Sequence, residues 1–191
     1  MKKIIFMMLA VSLFPLILQA SPILWEVSSG GNGHYYEFIN MGSYINRNDA
    51  FAAAQTRTYL GATGYLATVT TFTEHAFVNS QWAGSYSVWL GGAYQSGQWT
   101  WITGEAWSYQ NWEPGQPDNQ GSANGDFLLY YHAASNKSYW HDAYPNFTSV
   151  TGYVVEYNVL TTPEPAYLFL LGLGMIGYWI SYKKQRKILL P

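Results

Sequence analysis

The residues best placed to do chemistry lie together near the middle of the chain, in Trp112-Glu113-Pro114-Gly115-Gln116-Pro117-Asp118-Asn119. Two prolines and a glycine exclude helix and interrupt a sheet ladder, so the segment is a loop. Side-chain oxygens on Gln116, Asp118 and Asn119 follow one another, with Glu113 just before them. Pro117 between two polar residues is a candidate for a cis peptide, which aims both neighbours to one side. A stiff loop of carboxylates and amides suits a hard cation such as Ca²⁺, which takes about six to eight oxygens. The loop offers a binding site and contains no evident nucleophile.

The elements around it must hold such a loop in place. His34 to Ile39 alternates and is rich in β-formers, which predicts a strand. Asn48 or Asp49 is expected to cap a helix through Ala50 to Gln55, stopped by Gly61-Ala62-Thr63-Gly64. Tyr65 to Val69 is a short buried strand, and Thr73-Glu74 opens a second helix running to about Trp82. Strands follow at Ser87 to Gly91 and Trp99 to Trp101. From Gly104 to Gly125 the chain is rich in Gly, Pro, Asn and Trp and has little periodicity. A loop of that length inside a compact domain is usually functional. Further strands are expected at Asp126 to Tyr131, Tyr139-Trp140 and Gly152 to Tyr157. A strand, two helices, then strands with a long insertion predict an α+β domain over residues 24–158.

Composition narrows the function. There is no cysteine among the 191 residues, which excludes disulfides, thiol catalysis and cysteine zinc sites. The overall charge of −2 hides an uneven distribution, because the lysines and arginines crowd the two ends. Residues 21–162 hold ten acidic residues against three basic ones, a formal −7. A domain that acidic repels phosphate backbones, so nucleic acid is not an expected partner. The four histidines show no metal spacing. Glu113, Asp118 and Asp126 lie in or beside one loop, with no opposing strand implied that would make them an acid pair for glycoside hydrolysis. The chain is therefore not expected to be an enzyme.

Both ends are expected to be addresses. Residues 1–20 have a basic start (Lys2-Lys3), an apolar stretch from Ile4 to Leu18 and a small residue, Ala20, before a cleavage point near Ser21, as in a secretory signal. At the other end Pro163-Glu164-Pro165 precedes an apolar run over 166–182 containing Leu170-Leu171-Gly172-Leu173-Gly174, closed by Lys183-Lys184-Gln185-Arg186-Lys187. The run is near the lower limit of about 17 residues for a transmembrane helix. The basic cluster favours the cytoplasmic side and leaves everything before it outside. Residues 159–191 resemble the PEP-CTERM sorting signal of Gram-negative bacteria. The resemblance implies transient membrane insertion, processing by an exosortase, delivery to the cell envelope or extracellular matrix, and an association with exopolysaccharide or biofilm matrix.

Between these ends, residues from about Gly33 to Tyr157 resemble the C-type lectin-like domain. Gly64-Tyr65-Leu66-Ala67-Thr68 is similar to the family's GGYLA strand, and Val88-Trp89-Leu90-Gly91-Gly92 to its WIGL strand. Gly97-Gln98-Trp99-Thr100-Trp101 and Tyr109-Gln110-Asn111-Trp112 match the entry to the long loop. Trp140-His141-Asp142 stands where the family has WND, and Gly152-Tyr153-Val154-Val155-Glu156-Tyr157 matches the closing strand. The resemblance implies two helices with two small antiparallel sheets and a long loop region. Phe127 and Val155 stand at cysteine positions of the animal members, so apolar packing must replace crosslinks worth about 2–4 kcal/mol each.

In sugar-binding members a Ca²⁺ in the long loop binds two neighbouring sugar hydroxyls. The resemblance implies calcium ligands at Gln116, Asp118 and Asp142, with Asn119 and Asp126 supporting them. Gln116-Pro117-Asp118 has the family's galactose-type order of amide and acid, which sets which side donates and which accepts. Two positions depart from the pattern: Gly125 stands where an acid is expected and His141 where an asparagine is expected. Imidazole is a poor ligand for hard Ca²⁺. Gln120 replaces the aromatic that usually follows the tripeptide, leaving Trp140, Tyr139 or Trp112 either to stack on a sugar or to belong to the core. Two readings stay open: a carbohydrate-binding protein using Gln116, Asp118 and Trp140, with or without calcium, and a matrix or protein-interaction module with a degenerate site.

Overall fold

The computed structural model describes residues 21–82, 86–119, 126–133, 139–159 and 178–179. The expected secretory signal lies outside these residues, and so does the expected membrane segment apart from Tyr178 and Trp179. No helix among the described residues is long and apolar enough to cross a membrane.

The first strand, β1 (Ile23–Leu24), pairs antiparallel with β2 (Tyr35–Asn40). Helix α1 (Arg47–Thr56) follows, then the short hairpin β3 (Thr58–Tyr59) and β4 (Ala62–Thr63), β5 (Tyr65–Leu66) and helix α2 (Phe72–Gln81). The remaining strands are β6 (Ser87–Gln95), β7 (Gln98–Trp101), β8 (Asp126–Tyr130), β9 (Trp140–Ala143) and β10 (Val150–Tyr157). The expected α+β order holds. The expected pair of antiparallel sheets is joined into one eight-stranded sheet, in the order β1-β2-β10-β6-β8-β9, with β5 on β10 and β7 on β6. The junction is a parallel pairing of β10 with β6, through Gly152↔Val88 and Tyr153↔Trp89. Only glycine fits at two close approaches within the sheet: a Cβ on Gly152 meets Ile39 O of β2 at 2.4 Å, and one on Gly91 meets Leu66 O of β5 at 2.5 Å.

Both helices start earlier than the sequence suggested, α1 by two or three residues and α2 by one. Asn46, not Asn48 or Asp49, caps α1: its side chain accepts from Asp49 N at 2.8 Å and donates to Asp49 Oδ2 at 2.6 Å. Thr71 caps α2 by accepting from Glu74 N at 3.1 Å, while Glu74 reaches back to Thr70 N at 2.7 Å. An Asn-x-x-Asp pair (Asn46, Asp49) and a Thr-x-x-Glu pair (Thr71, Glu74) place each cap ahead of the expected start.

Alternation along the strands divides the core in two. Phe127 and Leu129 on β8, with Trp89 on β6 and Val155 on β10, pack with Ala50 and Ala54 of α1. Leu128 and Tyr130, with Val88, Leu90, Trp101 and Trp140, form the second core, closed by Val78 of α2. Phe127 and Val155, at the cysteine positions of the resembled family, are both buried in the first core. The Arg47 guanidinium lies 4.4 Å from the Phe127 ring centre and 4.9 Å from that of Phe51. Burial pulls its pKa down to about 10.

The second core contains a histidine that must stay neutral. His75 is buried on α2, with Nδ1 3.0 Å from the Tyr130 hydroxyl and Nε2 3.3 Å from Asn111 Nδ2. Asn111 Nδ2 can only donate, so Nε2 accepts and Nδ1 carries the proton. Burial lowers the His75 pKa to about 4. Between about pH 6.5 and 4 the unfolded chain therefore takes up a proton that the folded chain refuses, and stability falls as pH falls. The loss is on the order of 3 kcal/mol at full extent. His34 acts in the opposite direction: its bond to Glu156 (2.6 Å), outweighing burial, raises its pKa, so its contribution is lost as pH rises above about 6.5. Melting temperature measured against pH is expected to fall more steeply from pH 6.5 to 4 in the native protein than in His75→Phe. Equal slopes contradict the assignment.

Candidate functional site

The long loop is fastened to the edge strand β9 at two levels. Trp140 provides the first: its N–H donates to Asn111 O (2.8 Å) and its carbonyl accepts from Glu113 N (3.1 Å). Trp112 forms a parallel bridge with it. The Trp140 ring is 0% exposed and meets Trp101, Trp107, Trp112 and Tyr109 at centroid distances of 5.5–5.8 Å. Trp140 is therefore the centre of an aromatic core, not a face open to a sugar, which corrects its expected stacking role.

Asp142, two residues on, provides the second level. Its Oδ1 accepts from Asp118 N (3.1 Å) and its Oδ2 from Asn119 N (2.9 Å). Asn119 sits at φ 48°, a left-handed conformation that asparagine tolerates. The Gln116–Pro117 peptide is cis, as its setting between polar residues suggested. Burial raises the Asp142 pKa; the two amides pull it back, and the nearby Asp118 charge pushes it up again.

These contacts bring Gln116, Asp118 and Asp142 to one cleft of about 320 Å³. Gln116 Nε2 donates to Asp118 Oδ2 at 3.4 Å. Gln116 Oε1 is buried and accepts no hydrogen bond. Tyr131, His141, Ala143, Tyr144 and Phe147 complete the lining of the cleft. Phe147 lies 5.8 Å from Tyr131 and 5.7 Å from Tyr144, centroid to centroid, and Tyr144 is 43% exposed. Sequence reasoning missed this aromatic wall, since Tyr144 and Phe147 lie in the β9–β10 connection with no strand pattern around them. His141 Nε2 bonds to Glu113 Oε2.

Two expected site residues lie elsewhere. Asp126 is 4% exposed, opposite Tyr94 at the start of β8, and does not line the cleft. Asn119 contributes its backbone N–H to Asp142, and its side chain is not part of the cleft wall.

A family model for the lectin C-type domain matches residues 49–148. The chain belongs to that family. It is 31% identical over 146 residues to halomucin of Haloquadratum walsbyi, covering 69% of this chain and 2% of halomucin. It is also 31% identical over 83 residues to asialoglycoprotein receptor 1 of Rattus norvegicus, covering 41% of this chain and 28% of the receptor. The chain thus spans a small part of either relative. Among solved structures, the cow C-type carbohydrate-recognition domain of CD23, determined in the presence of GlcNAc2Man3 oligosaccharide, shares the fold. Its TM-score is 0.55 at 19% identity, over 68% of this chain and 90% of that one. Membership of the family suggests carbohydrate binding.

C-type lectin domains typically bind calcium. Gln116 Oε1, buried without a donor, suits an ion. The rest of the donor set does not. Asp142 has both oxygens on backbone amides, and the imidazole of His141, where the family has an amide, is held by Glu113. Among the described residues no three acidic or histidine side chains group to hold a metal. Such a set falls short of the six to eight oxygens of a calcium site.

The Asp142 contacts carry a prediction. Asp142→Ala removes a carboxylate that accepts two backbone hydrogen bonds, each worth about 1.5–3 kcal/mol when charged. Amide exchange at Asp118 and Asn119 is expected to accelerate at least tenfold, well beyond that at Leu128 in the core. Unchanged exchange at both amides contradicts the anchoring role.

Proposed function

We propose that this chain is a non-enzymatic carbohydrate-binding protein whose ligand site is the cleft between residues 116–118 and β9. The observation that carries this reading is the meeting of Gln116, Asp118 and Asp142 with Tyr131, Tyr144 and Phe147 in the lining of one cleft. Amide and carboxylate oxygens accept from sugar hydroxyls, while an aromatic wall takes the apolar C–H face of the ring. The Gln116-Pro117-Asp118 order favours a galactose-type pattern of hydroxyls. The chemistry of the donor set favours binding with little dependence on calcium.

The setting follows from the termini. The basic-apolar start and the Pro163-Glu164-Pro165 tail support export, exosortase processing and residence in the envelope or matrix, where exopolysaccharide is the available glycan. Intact-mass measurement of the envelope-associated protein is expected to find residues 1–20 and the apolar tail missing. A full-length mass contradicts this.

Titration against a panel of immobilised glycans, with and without a chelator, tests the site itself. Retention of binding in the chelator is expected, with at least a tenfold loss of affinity in Asp118→Ala and in Tyr144→Ala at unchanged melting temperature. Failure to bind any glycan overturns the reading in favour of a structural or protein-interaction module.

A further inference from the structure

We infer that the cleft selects glycans bearing a free primary amine, whose ammonium group takes the place that a metal ion would otherwise fill. This rests on the carbohydrate reading above and specifies its ligand class. The charge of the cleft comes first. Asp118 and Asp142 both line it, and its described lining contains no lysine or arginine. The basic group that does line it, His141, is engaged by the Glu113 carboxylate, so it offers no free positive charge to a ligand. The surrounding domain adds to the same sign, with ten acidic against three basic residues over 21–162. Such a cleft repels uronates and sulfated sugars and attracts a cation.

Hydrogen-bonding valence gives the second reason. Asp142 holds two backbone amides, and Gln116 Oε1 is buried with no donor. A buried acceptor without a donor is a cost that a ligand donor relieves. An ammonium has three N–H donors and no acceptor, and it needs far fewer partners than the six to eight oxygens of calcium. Asp118 and Gln116 Oε1 supply acceptors for it, while Asp142, whose oxygens already take two amides, supplies charge. An N-acetylated amine offers one neutral donor and an acceptor carbonyl, which faces the carboxylates unfavourably.

The aromatic part of the lining gives the third. Tyr131, Tyr144 and Phe147 form a continuous aromatic surface, with adjacent ring centres 5.7 and 5.8 Å apart. Aromatic faces attract cations and take the apolar face of a sugar ring alike. A ring carrying an ammonium satisfies both the carboxylate and the aromatic parts of the lining, whereas a free metal ion offers no apolar face to the rings.

Calorimetric titration of the purified full chain, in excess chelator, distinguishes these classes with three probes of equal length: glucosamine oligomers, N-acetylglucosamine oligomers and galacturonate oligomers. Glucosamine oligomers are expected to bind at least tenfold more tightly than the N-acetylated ones, and galacturonate oligomers not at all. Asp118→Asn is expected to erase most of that preference, while Glu26→Gln, a remote exposed acid, leaves it intact. Equal or tighter binding of the N-acetylated probe overturns the inference and leaves the carbohydrate reading standing. An equal loss in Glu26→Gln also overturns it, by showing attraction to the acidic surface at large. No binding of any probe overturns the inference, and the carbohydrate reading falls with it only where the immobilised glycan panel also shows no binding.

Discussion

The site depends on one constraint: a loop with almost no regular structure is held against a four-residue edge strand. Trp140 and Asp142 do this from the same face of β9, one through its backbone and the other through its carboxylate. Period-2 geometry puts both on the side where Leu128 and Tyr130 also point. The buried indole fixes the strand, and the carboxylate two positions on fixes residues 118 and 119. Cleft shape is therefore set by core packing, and the sugar-facing groups sit one residue away from the second core.

That arrangement also accounts for a fold without crosslinks. Phe127 and Val155 both belong to the first core, together with Trp89 and Leu129. The second core is dominated by indoles, with Trp101, Trp107 and Trp112 each in contact with Trp140. Each buries a large apolar area, and offset or edge-on ring pairs add about 0.5–1.5 kcal/mol beyond it. Aromatic packing thus ties the long loop to the sheet in the region where a covalent link is absent. His75, neutral and joined to Asn111 and Tyr130, extends this tie to α2.

Much of this was legible in the sequence because it is local. Trp112 to Asn119 read as a rigid polar loop from its prolines and oxygens, and Gln116, Asp118 and Asp142 do meet at one cleft. What escaped was long-range. Nothing near Val150 marks it as the parallel neighbour of β6, since pairing register is set by distant residues. Trp140 read equally well as a stacking platform or a core residue, and only its neighbours from three other segments decide for the core. Asp126 sits beside the long loop in sequence and shares the β8 face of Leu128 and Tyr130, yet it is buried opposite Tyr94 and outside the cleft lining. Tyr144 and Phe147 reach the cleft through a connection whose path no periodicity predicts.

The claim that this cleft is where ligand binds is tested most directly by following backbone amide resonances while an aminated oligosaccharide is added. The account predicts that Asp118, Asn119, His141, Asp142 and Tyr144 shift together and saturate at one affinity, with Thr58 to Thr63 on the separate hairpin unmoved. Saturating shifts confined to any other surface, with residues 116–119 and 141–144 unchanged, contradict it.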